Sequence, residues 1–187
     1  YVRNTLNVSE LTLSHCTDSA IWCQMNLRSG DDIVVGLVYR SPNSSEAQNN
    51  QLLLMIDEAV AKGRSHVMIF GDFNFPEIDW ELQTCNESQG HPAQGFIQQF
   101  RSWYLTQHVE KPTHYRAEQK PNILDLILTN EEGMLDGVGY GEPIGKSHHL
   151  CLNWTYKCYV QQPATRVIKY LYDKVDYDEI RADLNDY

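Results

Sequence analysis

The longest apolar run in the chain is Ile33-Val34-Val35-Gly36-Leu37-Val38-Tyr39. It is far shorter than the roughly 20 residues a membrane helix needs. Its apolar character does not alternate, so it reads as a strand covered on both faces, which requires a sheet with a layer on each side. Asp31 to Tyr39 is that strand, entered through a turn at Ser29-Gly30-Asp31 from a β-like stretch, Ala20 to Arg28. In that stretch Ile21, Cys23, Met25 and Leu27 share one face at period two. After a break at Ser41-Pro42-Asn43-Ser44, Glu46 to Lys62 carries Leu52, Leu53, Ile56 and Val60 on one helical stripe, with Gly63 as terminator. His66 to Phe70 is a second buried strand. The expected class is therefore α/β.

The pattern continues along the rest of the chain. Pro76 to Pro92 is polar and rich in turn formers and reads as a long surface loop. Ala93 to Tyr104 reads as a helix with Phe96, Ile97, Phe100 and either Trp103 or Tyr104 facing the core. Ile123 to Leu128, Leu135 to Tyr140 and His149 to Tyr156 read as strands. Gln161-Gln162-Pro163-Ala164 resembles a linker into a short helix, Asp176 to Leu184, with Asp176 and Glu179 spaced as a capping box. The expected organisation is one domain over residues 1–160 and a linker with its helix over 161–187. At 187 residues such a domain buries roughly 70% of its unfolded surface, enough for a core. With 42% hydrophobic and 21% charged residues, wholesale disorder is excluded.

Charge and cysteine content narrow the function classes. Fifteen Lys and Arg against 25 Asp and Glu give a net charge of −10, which excludes holding nucleic acid by bulk charge alone. A nuclease stays open, because a divalent ion supplies positive charge locally. Cys16, Cys23, Cys85, Cys151 and Cys158 are odd in number and lack CxxC spacing, so reduced thiols in an intracellular protein are expected. Trp22, Trp80, Trp103 and Trp154 are expected in the core. Arg40, Lys111, Arg116, Lys120 and Lys146 are either a DNA groove or an ordinary solvated surface.

Three segments carry chemistry. Val67 to Asn74 is an apolar strand that ends at Gly71 and delivers Asp72 and Asn74 to one side of its C-terminal end by period-two geometry. Asn122-Ile123-Leu124-Asp125-Leu126-Ile127-Leu128 places an acid inside an apolar strand, where it needs a partner. Gly145-Lys146-Ser147-His148-His149-Leu150 offers imidazoles, and a carboxylate bonded to an imidazole fixes its tautomer for work on a phosphate. Each segment alone is common: Asx turns end many strands, and paired histidines decorate many turns. His15, His66, His91, His108 and His114 are expected to do nothing chemical.

In that order the three segments resemble the endonuclease/exonuclease/phosphatase superfamily, the DNase-I-like fold that includes abasic-site endonucleases. Tyr1-Val2-Arg3-Asn4, Val38-Tyr39-Arg40-Ser41-Pro42 and the spacing through Leu184 resemble the endonuclease domain of non-LTR (LINE-type) retrotransposons. The resemblance implies a two-sheet β-sandwich flanked by helices in four layers, incomplete at its N-terminus, the chain being a piece of something longer. It implies hydrolysis of a DNA phosphodiester with Mg²⁺ or Mn²⁺. Asp72 would orient or activate water and stand near the metal, and Asn74 would hold the scissile phosphate. His149 would contact the phosphoryl oxygen or act as base, with Asp125 behind it. Tyr39, Asn43 and Ser147 would lie at the phosphate or the DNA. Partners implied are DNA and a reverse transcriptase in the same polypeptide, in the nucleus, with no membrane.

Two departures from the family's pattern fall on the metal site. The family's first segment carries an Asn and a Glu that have no counterpart here, and its Ser-Asp-His is Ser147-His148-His149. A hard-oxygen ligand is thereby missing and an imidazole stands where a carboxylate serves Mg²⁺, so His148 is a metal ligand only for a softer ion. The expectation is an impaired or inactive chain when isolated. The rival reading is a non-catalytic remnant or recruited binding module that keeps the fold. Loss of the first strands would also leave a raw sheet edge and self-association through it.

Overall fold

The computed structural model describes residues 1–63, 65–118 and 120–158, with Tyr177 and Arg181. The linker and helix expected over 161–187 lie outside the described residues. Strands β1 (Val8–Glu10), β2 (Ala20–Asn26), β3 (Asp32–Tyr39), β4 (His66–Asp72), β7 (Thr106–Gln107) and β8 (Asp125–Thr129) form one sheet in the order β1-β2-β3-β4-β8-β7. All neighbours are antiparallel except β3 and β4, which run parallel with α1 (Glu46–Lys62) between them. A parallel pair needs such a crossover, because a tight turn only reverses the chain. Strands β9 (Leu135–Gly141) and β10 (Cys151–Tyr156) form a separate antiparallel pair.

The bounds of α1 match the sequence pattern, and local chemistry explains its start. The Ser45 hydroxyl accepts from the Gln48 backbone N–H while the Gln48 side chain accepts from the Ser45 N–H, a reciprocal capping box. Helix α1 and α2 (Pro92–Ser102) both pack on one face of the large sheet. There Trp22, Val34, Val38, Val67, Ile69, Leu126 and Leu128 meet Leu52, Met55, Ile56, Phe96, Ile97 and Phe100. Trp22 lies so close over Gly36 that a Cβ at residue 36 would stand 2.3 Å from its ring. The rings of Phe73, Phe75, Trp80 and Trp103 surround Phe96 at centroid distances of 4.8 to 6.5 Å.

Two expectations need correction. The polar stretch Pro76 to Pro92 is not a bare surface loop. It contains a short hairpin, β5 (Ile78–Asp79) and β6 (Thr84–Cys85), and buries Ile78, Trp80 and Cys85 against α2. Strand β3 is not covered on both faces, because Leu37 and Tyr39 are exposed. In β2 Ala20 and Trp22 enter the helix-covered core, where the Trp22 ring fills the space over Gly36. The opposite face carries Ile21.

That opposite face is covered unevenly. The β9–β10 pair lies over β4, where Trp154 meets Phe70 edge-on at 5.2 Å and Tyr156 meets His66 at 6.4 Å. Over β2 and β3, Ile21 (67%), Leu37 (45%) and Tyr39 (53%) remain exposed. Of the tryptophans expected in the core, Trp22, Trp80 and Trp103 are buried and Trp154 is half-buried.

Candidate active site

The ends of three neighbouring strands build the site. Register places Tyr39 beside Asp72 and Asp72 opposite Asp125, so three candidate side chains stand in a row across β3, β4 and β8. They rise from the face that does not carry the helices. His149 reaches the same row from the turn before β10. Its Nδ1 donates to Asp125 Oδ2 at 2.8 Å, and its Nε2 lies 3.9 Å from Asp72 Oδ2. The side chains of Asp72, Asp125 and His149 are 19, 21 and 32% exposed, so the cluster is sheltered and reachable.

Backbone bonds explain how two distant segments meet here. Residues 113–115 thread between 122–125 and 148–150. Thr113 N–H and His114 N–H donate to the Asn122 carbonyl, Leu150 N–H donates to the Thr113 carbonyl, and Tyr115 N–H donates to the His148 carbonyl. The Thr113 hydroxyl oxygen, fully buried, accepts from the Leu124 and Asp125 N–H groups at 3.2 and 3.1 Å. The Ser147 hydroxyl accepts from the His149 N–H at 3.0 Å, which sets the turn that aims the imidazole.

Asn74 comes close to Asp72 by a different route from strand alternation. β4 ends at Asp72, and Asn74 sits at φ +50° with its backbone N–H donating to Asp72 Oδ1 at 3.1 Å. This is an Asx turn, and Asn tolerates the left-handed region better than most residues. The Asn74 side-chain nitrogen donates to the Arg40 carbonyl at 2.9 Å. The Asn74 side chain also hydrogen-bonds to the Asp72 carboxylate.

Electrostatics follows from two carboxylates on adjacent strands. Burial, and then the Asp125 charge, push the Asp72 carboxyl up to about 6; His149 and the bonds from Asn74 pull it the other way. Ligand atoms of Asp72, Asp125 and His149 lie within 4.8 Å of one another, the one such group among the described residues. Two carboxylates with an amide oxygen nearby suit a hard divalent ion that keeps several waters, and the imidazole adds affinity for a softer one.

The other residues singled out from sequence are placed as follows. Tyr39 is exposed beside Asp72, and Asn43 is exposed in the turn after β3, its N–H donating to the Ser41 hydroxyl. His148 is exposed, 6.1 Å ring to ring from His114 and outside the group of mutually close ligand atoms. Of the histidines set aside, His114 belongs to the site: its ring meets that of His149 edge-on at 4.8 Å, and its backbone bridges to His149. Burial lowers its pKa, helped by the nearby His149 and His148. Thr113 and His114 follow a proline in a polar stretch, and no spacing marks them.

The fold is similar to that of several solved structures. One is the endonuclease domain of TRAS1, a telomere-specific non-LTR retrotransposon, at TM-score 0.63 and 16% identity over 81% of this chain and 67% of that one. The catalytic domain of Xenopus laevis APE2 gives 0.55 and 16% over 79% of this chain and 58% of that one. An endonuclease/exonuclease/phosphatase family protein from Leptotrichia buccalis gives 0.51 and 16% over 75% and 55%. The chain thus spans 55 to 67% of the length of these structures. A comparison with curated proteins gave no match. Residues 33–152, from the first buried strand to just past His149, match the family model Endonuclease-reverse transcriptase, and the chain belongs to that family.

Proposed function

We propose that this chain is the catalytic core of a retroelement-type endonuclease that hydrolyses a phosphodiester of DNA with the help of Mg²⁺ or Mn²⁺. The observation that carries the reading is the line Asp125–His149–Asp72, held at 2.8 and 3.9 Å across the ends of β8 and β4. Asp125 keeps the imidazole proton on Nδ1 and leaves Nε2 facing the position of the reacting phosphate. Asp72 orients the attacking water and, ionised, accepts its proton, or passes that role to His149 Nε2. The water oxygen bonds to phosphorus, one ester P–O bond breaks, and the leaving alkoxide takes up a proton. The Asn74 amide would turn from Asp72 to donate to a phosphoryl oxygen, with Tyr39, Asn43 and Ser147 at the rim. Asp72, the Asn74 oxygen and Asp125 would hold the divalent ion, whose contribution is Lewis-acid stabilisation of the charged phosphoryl group.

A second reading has a specific observation behind it. One Asp125 oxygen is already engaged by His149, and His148 stands apart from the ligand group. Few hard oxygen donors therefore remain for Mg²⁺, which favours an impaired chain or a binding module that keeps the fold. Nicking of supercoiled plasmid with Mg²⁺, Mn²⁺ or EDTA, beside a His149→Ala control, decides between them. Metal-dependent nicking that vanishes in the control is expected. A folded chain that nicks no faster than the control would leave the binding module.

The parent polypeptide would add a reverse transcriptase and act in the nucleus. Among the described residues no helix is long and apolar enough to cross a membrane. Self-association is also expected, because β9 and β10 each pair on one side only and Ile21, Leu37 and Tyr39 are exposed on the face beside them. Light scattering that finds only monomer at high concentration would contradict it.

A further inference from the structure

Arg40 is a charged side chain in an unexpected place. It follows Tyr39 at the end of β3, is only 8% exposed, and among the described residues has no carboxylate within ion-pair distance. A cation that lines a DNA groove faces solvent; this one faces inward. Its guanidinium lies over the Phe75 ring, 3.9 Å from the centroid. Nε donates to Asn49 Oδ1 on α1 at 2.8 Å, and Nη1 donates to the Asn74 carbonyl at 2.8 Å. Its backbone N–H donates to the Asp72 carbonyl, and its carbonyl accepts from the Asn74 side chain.

One residue therefore touches both Asp72 and Asn74 and ties the turn between them to α1. Burying a guanidinium on neutral hydrogen-bond acceptors is costly, which pulls its pKa down even though the Glu77 and Asp72 charges offset part of that cost, so a neutral residue would serve packing better. The fork is the one part of the side chain that reaches α1 and the Asn74 carbonyl together. Asn74 is held at a positive φ, a conformation that persists only where its surroundings impose it.

We propose that Arg40 is a positioning residue: its buried guanidinium, through the Asn74 carbonyl, locks the left-handed turn that aims the Asn74 amide and the Asp72 carboxylate at the same phosphate. The catalytic part of this inference rests on the hydrolytic reading above.

The test compares Arg40→Lys and Arg40→Met in the full chain. A lysine keeps the charge but cannot reach both acceptors; a methionine keeps much of the volume. Both variants are expected to lower kcat for nicking of a fluorescent duplex about 10- to 100-fold, with KM and its salt dependence unchanged. A higher KM with a shallower salt slope would instead make Arg40 a phosphate contact and overturn the proposal. A second readout does not need activity. In ¹H–¹⁵N spectra the Asn74 side-chain amide signals are expected to move towards free-amide positions in both variants while the amides of β3 and β4 stay dispersed. Unmoved Asn74 signals would overturn the proposal. Should the parent chain nick no DNA, the hydrolytic reading fails, and the spectra still decide the role of Arg40. If Arg40→Met does not fold, Arg40→Lys carries both readouts.

Discussion

An Asp72→Asn variant is expected to lose nicking activity by about 10²- to 10⁴-fold and, above pH 6, to be more stable than its parent. The two effects share one cause. Burial and the neighbouring Asp125 charge raise the Asp72 carboxyl from its ordinary 3.8 to about 6, so its protonated form is the one the fold prefers. That contribution to stability is fully present below about pH 4 and is lost as pH rises through about 6. An amide is neutral throughout and keeps the oxygen that accepts the Asn74 N–H. The gain at pH 8 is therefore up to about 3 kcal/mol, and it closes towards pH 4. Thermal melts in EDTA at the two pH values check this; a variant that melts lower at pH 8 would refute the burial argument. On the proposed mechanism hydrolysis uses the ionised carboxylate, which an amide cannot supply.

Gly71→Ala is expected to cost about 2–5 kcal/mol and to displace the acid next to it. Gly71 lies at φ +141°, outside the range of ordinary side chains, and an added Cβ would stand 1.9 Å from the Val38 carbonyl oxygen. That oxygen belongs to the backbone of a central strand, flanked by β2 and β4, so it has nowhere to move. Relief must come from β4 itself, which carries Asp72 away from Tyr39 and Asp125. Gly145→Ala is the comparison: φ is +63°, but nothing lies within 4 Å, so only the conformational cost of about 1–2 kcal/mol applies. Urea unfolding of both variants measures the difference. Equal losses would mean that the close approach to Val38 relaxes freely.

The elements that the sequence made plain are those with a strong internal period. Helix α1 carries the Leu52, Leu53, Ile56 and Val60 stripe and stops at Gly63, with Leu52 and Ile56 buried and the other two half-buried, and β4 is apolar on both faces because helices cover one and the β9–β10 pair the other. Asp125 announced its need for a partner by its apolar surroundings, and His149 lies 2.8 Å away. What escaped was set by contacts across space. The two-residue strands β5 and β6 are too short to show a period, so the hairpin leaves no mark in the sequence, although Trp80 within it is expected in the core. The seat of Trp22, a residue expected in the core, over Gly36 is set across two strands. Arg40, Thr113 and His114 owe their places to groups 9 to 35 residues away, and their own neighbours in sequence carry no trace of it.

The register that sets Tyr39, Asp72 and Asp125 side by side also orders events in time. β3 and β4 close on one another across α1, whereas β8 reaches β4 only after a loop about twice as long is closed. Loop-closure entropy delays the second pairing, and non-local strand pairing is slow. The half of the site that holds Tyr39 and Asp72 thus assembles first, and Asp125 with His149 arrives last. Pulse-labelled amide exchange is expected to find Val34 and Val67 protected before Leu126. Until that final docking, the folding chain holds Asp72 with no imidazole beside it, and the approach of His149 to Asp72 becomes a marker of completed folding.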